Sequence, residues 1–288
     1  MVSESGYHWK AMKRFEKDAI ILRLKDKIKA GKAIFCVSTG LGMTAKIADK
    51  SEVDMIIVHK EAVFAADGRV PAFARAGYGK NCNEVMMESG PIILANAKNT
   101  PVIVGVGIAE PYTNVDRLTE EFLEIGFSGV THIPTSGGWV GPYGEGISAA
   151  GVGYPAELEY IKNCSARGVF TLGYCFTEEQ AEQMVAAGAS VISVYVPRLE
   201  EESQGWKAAG SMEQAMETAR KICAAAIKAD PEAIILCSGG TFETADDVKK
   251  CLDATGAYGY IGDEWIECRR IEESVAQAVS GYRALRLR

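Results

Sequence analysis

The 288-residue chain is 48% hydrophobic and 24% charged, with 31 Lys and Arg against 38 Asp and Glu and a formal net charge of -7. This suits one large globular domain or two modest ones, and with no concentrated basic surface it argues against nucleic-acid or anionic-membrane partners. No apolar run approaches the roughly 20 residues of a membrane helix, and the polar start MVSESGYHWKAMKRFEKD lacks a signal-peptide core, so a cytoplasmic location is the expectation.

Residues 1–30 read as a helical extension, with Phe15, Ile21, Leu24 and Ile28 on one side of a helix within 8–30. That helix is expected to cover a barrel mouth or join a subunit contact. Short β-branched apolar runs then recur at 33–38, 54–59, 101–106, 129–134, 169–174, 190–196, 233–238 and 258–262. Each is nearly continuous in apolar character, as a parallel strand buried on both faces requires. Amphipathic helical stretches separate them, most clearly at 114–127, 177–189, 211–229 and 244–257. Asn114, Thr177 and Thr244 stand as N-caps before acidic first turns, and Gly126 and Gly188 close their helices.

Two stretches break the rhythm. Residues 60–83 read as a long loop carrying Arg69 and Arg75, either anion-binding groups or solvated charges, with Asn83 as cap of the next helix. Residues 131–147, THIPTSGGWVGPYGEGI, read as a glycine-rich lid presenting Trp139 and Tyr143, with a helix resuming at Tyr154. The eight cysteines stand singly and are expected to be buried hydrophobes rather than disulfides or zinc ligands. Eight strand–helix alternations predict a single (β/α)8 TIM barrel over residues 31–288, an open doubly wound sheet being the alternative.

A barrel places its ligands at the C-terminal ends of the strands, which fixes the candidate list. His132 after strand 4 is the leading general acid/base, with His59 and Lys60 after strand 2 and Glu110 after strand 3 as further catalytic candidates. For both histidines the alternative is a structural ring bonded to backbone. Ser38, Thr39 and Gly40 form a possible anion cradle, and Ser238, Gly239 and Gly240 offer backbone donors after strand 7. Thr135, Tyr174, Tyr195 and Asp263 complete the substrate-binding set, although an acidic Asp263 disfavours a phosphate there and suits a helix N-terminus equally well. Glu88 and Glu110 are the candidate ligands for a magnesium ion.

STGLGMTAKIAD, AGYGKNCNEVMMESG, TPVIVGVGIAEPY, GFSGVTHIPTSG, AAGVGYPAELEYI and ATGAYGYIGDEWIE occur in one order over about residues 20–270. Together they resemble the phosphoenolpyruvate hydrolase-like family of TIM barrels, also labelled TIM-barrel signal transduction proteins. The resemblance implies a (β/α)8 fold, homo-oligomeric assembly, and kinship with enzymes that handle phosphoenolpyruvate and other 2-oxo acids through enolate chemistry, often with Mg2+. The chain departs from the family pattern at the expected ligand face. It reads Lys80-Asn81-Cys82 where an aspartate is usual, His132 where an asparagine is usual, and Asp263 where small residues are usual. The expected function is hydrolysis or cleavage of a C–C or C–O bond in a small anionic metabolite, a 2-oxo or phosphorylated acid. A non-catalytic metabolite sensor is the alternative.

Overall fold

The computed structural model describes residues 14–110, 113–197, 211–239, 242 and 244–287. Eight parallel strands close into a barrel in chain order: β1 Ile34–Ser38, β2 Met55–Val58, β3 Val102–Gly105, β4 Gly129–Thr131, β5 Thr171–Cys175, β6 Val191–Val196, β7 Ile235–Gly239 and β8 Gly259–Gly262. The barrel closes through β1 and β8, with Cys36 opposite Ile261. The open-sheet alternative is thereby excluded.

Twelve helices lie among the described residues: α1 Lys17–Lys29, α2 Gly42–Lys50, α3 Lys60–Ala66, α4 Pro71–Arg75, α5 Cys82–Asn96, α6 Val115–Ile125, α7 Gly141–Ala149, α8 Tyr154–Ala166, α9 Glu178–Ala186, α10 Met212–Ala229, α11 Ala245–Thr255 and α12 Glu264–Arg283. Their ends follow local chemistry. Asn114 accepts the Arg117 N–H, Thr177 accepts the Gln180 N–H, and Thr244 forms a reciprocal capping box with Asp247.

Alternation along the strands sorts the core into two layers. Ile34, Cys36, Met55, Ile57, Leu172 and Leu236 belong to the cluster that fills the barrel, and Ile20 and Leu24 of α1 join it. The extra helix packs on the barrel's interior cluster through Ile20 and Leu24, with Phe15, Ile21 and Ile28 partly buried beside them. Val37, Ile56, Val104, Val130 and Ile192 face outward into the helix layer. Cys36, Cys175 and Cys237 are buried free thiols, in line with their apolar settings.

Two expectations are corrected. Residues 60–83 are not a structureless loop but hold α3 and α4, the second opened by Pro71 in its first turn, where a missing N–H costs nothing. The glycine-rich stretch 131–147 likewise contains most of α7, a nine-residue helix that buries none of its own residues.

Candidate functional site

The C-terminal ends of β1 to β4 carry most of the polar groups, and strand alternation decides which way each one faces. On β4, Thr131 faces inward and Ile133 joins the interior cluster, so His132 between them faces outward toward α8. His132 is fully buried. Its Nε2 accepts the Tyr174 N–H at 2.8 Å, which leaves the ring proton on Nδ1, 2.6 Å from Glu157 Oε2. Glu157 also accepts from the Thr135 hydroxyl and from both the N–H and the hydroxyl of Ser136. His132 thus has no ring nitrogen turned to the barrel mouth, and its geometry is that of the structural alternative. It ties β4 to β5 and, through Glu157, to the root of the following loop.

His59 faces the other way. Its Nδ1 accepts the Ala62 N–H at 3.3 Å as the cap of α3. Its ring lines an axial cavity of about 20 Å³ with Glu61, Tyr174, Tyr195 and Asp263, room for about one water molecule. Burial, reinforced by the positive charge of Arg75, lowers the His59 pKa to about 3, so the ring is neutral at pH 7. Tyr174, Phe176 and Tyr195 crowd together over the axis, with Phe176 and Tyr195 centroids 5.5 Å apart. Below them the Ser193 and Ser238 hydroxyls meet at 2.9 Å. Ser38 Oγ and Thr131 Oγ1 are buried without a hydrogen-bond partner among the described residues.

The larger opening lies off the axis. A cleft of about 330 Å³ runs between α4, the β3–α6 loop and the segment after β4. Arg75, Glu110, Thr135 and Ser136 line its polar side, and Trp139 and Tyr143 line its other side. That volume lies at the lower end of the range for small-molecule sites. Arg75 and Glu61 form a buried pair at 3.4 Å, with side chains 3% and 9% exposed. Lys60 is buried at the first turn of α3, its amine 5.3 Å from the centre of the Phe64 ring. Glu110 Oε1 accepts the Cys82 N–H at 2.6 Å at the start of α5. Burial first, and then the Glu110 charge, push the Cys82 thiol up to about 12, so it is not a ready nucleophile.

The remaining candidates are occupied by the chain itself. Thr39 Oγ1 donates to Glu267 at 2.6 Å and the Gly40 N–H donates to the same carboxylate at 3.1 Å. The cradle after β1 therefore holds an internal anion, and a Cβ on Gly40 would come within 2.4 Å of the Ala62 carbonyl oxygen. The Gly239 N–H donates to Asp263 at 3.1 Å, and Gly239 needs its left-handed φ of 67°. Gly240, the other donor expected there, lies outside the described residues. Glu88 pairs with Lys80 at 2.7 Å on the exposed face of α5 and lines a different pocket from Glu110, so the structure does not bring the two candidate magnesium ligands together. Among the described residues no group of three or more His, Cys, Asp or Glu is placed to hold a metal ion. Asn81, not Asn83, caps α5; the Asn83 amide instead exchanges two hydrogen bonds with the backbone of Gly107.

Reading from sequence missed Glu157 and Glu267. Each sits in the first turn of a helix, where an acidic residue already has an ordinary explanation. Their partners lie 21 to 25 residues away for Glu157 and 227 to 228 for Glu267.

A family model described as phosphoenolpyruvate hydrolase-like matches residues 19–285, almost the whole barrel. The chain belongs to this family. The ToMV susceptible protein tm-1(GCR26) of Solanum lycopersicum is 28% identical over 92% of the chain and 35% of its own length. The chain spans 35 to 40% of the length of the curated relatives it matches. Among solved structures, the phosphoenolpyruvate phosphomutase of Streptomyces platensis subsp. rosaceus superposes with a TM-score of 0.60 at 14% identity, covering 91% of this chain and 86% of that one. A phosphonopyruvate hydrolase in complex with oxalate and Mg++ gives 0.60 at 11% identity, covering 92% and 87%. At these identities the likeness is one of fold. No helix among the described residues is long and apolar enough to cross a membrane.

Proposed function

We propose that the chain is an enzyme acting on a small carboxylic acid of the 2-oxo class, bound in the off-axis cleft beside Arg75. The observation that carries this reading is the cleft itself, which brings a buried guanidinium, a carboxylate and an aromatic wall together at the C-terminal end of the barrel. Family membership and the acids named for the phosphomutase and the phosphonopyruvate hydrolase point to the same substrate class.

In this reading Arg75 orients the substrate carboxylate, a task its planar fork suits better than a lysine would. Lys60 and Arg75 supply the positive charge that favours an enolate-like intermediate as a C–C or C–O bond breaks. Glu110 is the proton-transfer group, with one oxygen fixed by the Cys82 N–H. His132 is a positioning residue: it holds Glu157, and Glu157 holds Thr135 and Ser136 at the cleft edge. Magnesium is a feature of the phosphonopyruvate hydrolase complex. Here Glu110, Asp263 and Glu267 already accept backbone N–H groups, and among the described residues no donor set fits a resident divalent cation.

A second reading is a non-catalytic metabolite sensor, and one observation favours it. Two of the backbone donors expected to bind anions at the mouth, the Gly40 and Gly239 N–H groups, are filled by the chain's own carboxylates. Thermal-shift screening of 2-oxo and phosphorylated acids, with and without magnesium, tests both readings, since a ligand of the native state raises the melting temperature. Stabilisation followed by product formation fits the enzyme. Stabilisation with no product under any condition fits the sensor, and no stabilisation by any acid removes both.

A further inference from the structure

We propose that the off-axis cleft selects a 2-oxo monocarboxylate with an apolar substituent, and rejects dicarboxylates and phosphorylated acids. This rests on the reading of the cleft as a 2-oxo acid site and names the class of acid that the site takes.

Depth sorts the lining by chemistry. At the floor lie Arg75, its side chain 3% exposed, and Thr135, 2% exposed. At the rim lie Tyr143, 53% exposed, and Val152, 41% exposed, with Trp139 and Ile147 half-buried beside them. Tyr143 and Ile147 stand four residues apart on α7, so one face of that helix carries both. Trp139 meets Tyr143 edge to face, with ring centres 4.9 Å apart. None of the α7 residues is buried, and its apolar side faces the cleft rather than the barrel core. An acid therefore enters carboxylate first, and its substituent comes to rest against the α7 wall.

Charge decides what that substituent is. Among the described residues lining the cleft, Arg75 is the one cation, and it is already paired with Glu61, whereas Glu110 and Glu157 are carboxylates. One substrate carboxylate matches Arg75. A second carboxylate or a phosphate would face two like charges and an apolar wall, and would lose its water without gaining a partner. The mouth offers it no refuge, because the Gly40 and Gly239 N–H groups are taken by Glu267 and Asp263. Size agrees. At about 30 Å³ for a water-sized group, the six non-hydrogen atoms of pyruvate leave roughly half of the cleft's 330 Å³ unfilled. An apolar substituent fills that space and removes apolar surface from water on both partners.

Calorimetric titration of the full chain with pyruvate, 4-methyl-2-oxopentanoate and oxaloacetate tests this. The last two share a skeleton that ends in an isopropyl group in one and a carboxylate in the other. Each buried carbon is worth about fourfold, so the branched acid is expected to bind at least ~30-fold tighter than pyruvate, and oxaloacetate no tighter than pyruvate. Ile147→Lys is expected to weaken the branched acid and strengthen oxaloacetate by ~10-fold each, an exchange of preference that a loss of folding does not produce. Arg75→Met separates this proposal from the reading beneath it. If every acid needs Arg75 but oxaloacetate is preferred, or chain length has no effect, the apolar selection falls and the 2-oxo acid site stands. If none of the three binds, or binding ignores Arg75→Met, both fall. An oligomer in light scattering that Ile147→Lys dissociates, without any preference for the branched acid, would mean that a second copy covers α7 and would also overturn the selection.

Discussion

Two neighbouring corners of the barrel mouth use the same residue types to opposite ends. At the β4 corner, His132, Glu157, Thr135 and Ser136 satisfy one another, and the histidine is sealed from solvent. At the β2–β3 corner, His59 and Glu61 line a small axial cavity and Arg75 and Glu110 line the cleft, with the buried Lys60 between His59 and Glu61 in sequence. The first arrangement is a clamp that spends its hydrogen bonds on the scaffold, even though Thr135, Ser136 and Glu157 also line the cleft. The second keeps full charges beside the openings, which is where perturbed groups become useful. A histidine at a strand end is therefore not a catalytic signal until the face it occupies is known.

The comparison breaks first if the clamp is not a clamp. Glu157→Ala removes an acceptor shared by four donors and leaves them buried, so it should cost about 3–5 kcal/mol in urea unfolding. A loss below about 1 kcal/mol would make the β4 corner incidental. Next, the Glu61–Arg75 pair should be strongly coupled. Arg75→Met and Glu61→Gln should each destabilise by about 2–4 kcal/mol, and the double variant by less than their sum, with a coupling of at least about 1 kcal/mol. Additive losses would deny that the two buried charges act as a unit.

The third test sharpens the comparison through pH. His59 binds its proton near pH 6.5 when unfolded but only near pH 3 when folded. Between those values the unfolded state holds the extra proton, so stability falls as pH falls, by about 1.4 kcal/mol per pH unit from this group. Above pH 6.5 the ring is neutral in both states and contributes no slope. His59→Asn should flatten the stability profile between pH 3 and 6.5 by that amount; an unchanged slope would mean that the ring is not held neutral. The smallest effect concerns the aromatic wall. Trp139→Ala should weaken binding of a stabilising acid about 10-fold while changing stability by less than about 1 kcal/mol. Equal losses in both would make the segment after β4 a connector rather than a lid.

The barrel was largely legible because its signals are local. Each apolar run from 33–38 to 258–262 overlaps its strand, with ends differing by three residues at most. Thr244 and Asn114 cap where their side chains predict. Within 131–147 the glycines hid α7, because glycine lowers helix propensity, while Pro142 in its first turn is the start signal the sequence does carry. The site was less legible. His132 and Ile133 are adjacent in sequence, and only the barrel's register assigns one to the helix layer and the other to the interior. Glu267 reaches Thr39 across 228 positions, a separation that periodicity does not encode. Arg75 was a candidate on charge alone; its burial against Glu61 depends on α4, which was read as loop.

The central claim is that function resides at the β2–β3 corner and that His132 only positions its surroundings. Calorimetric titration of the acid found to stabilise the wild type, into Arg75→Met and His132→Asn below their melting temperatures, tests it most directly. The account predicts at least a ~100-fold loss of affinity for Arg75→Met and less than ~10-fold for His132→Asn. The reverse order would place the substrate at His132 and contradict it.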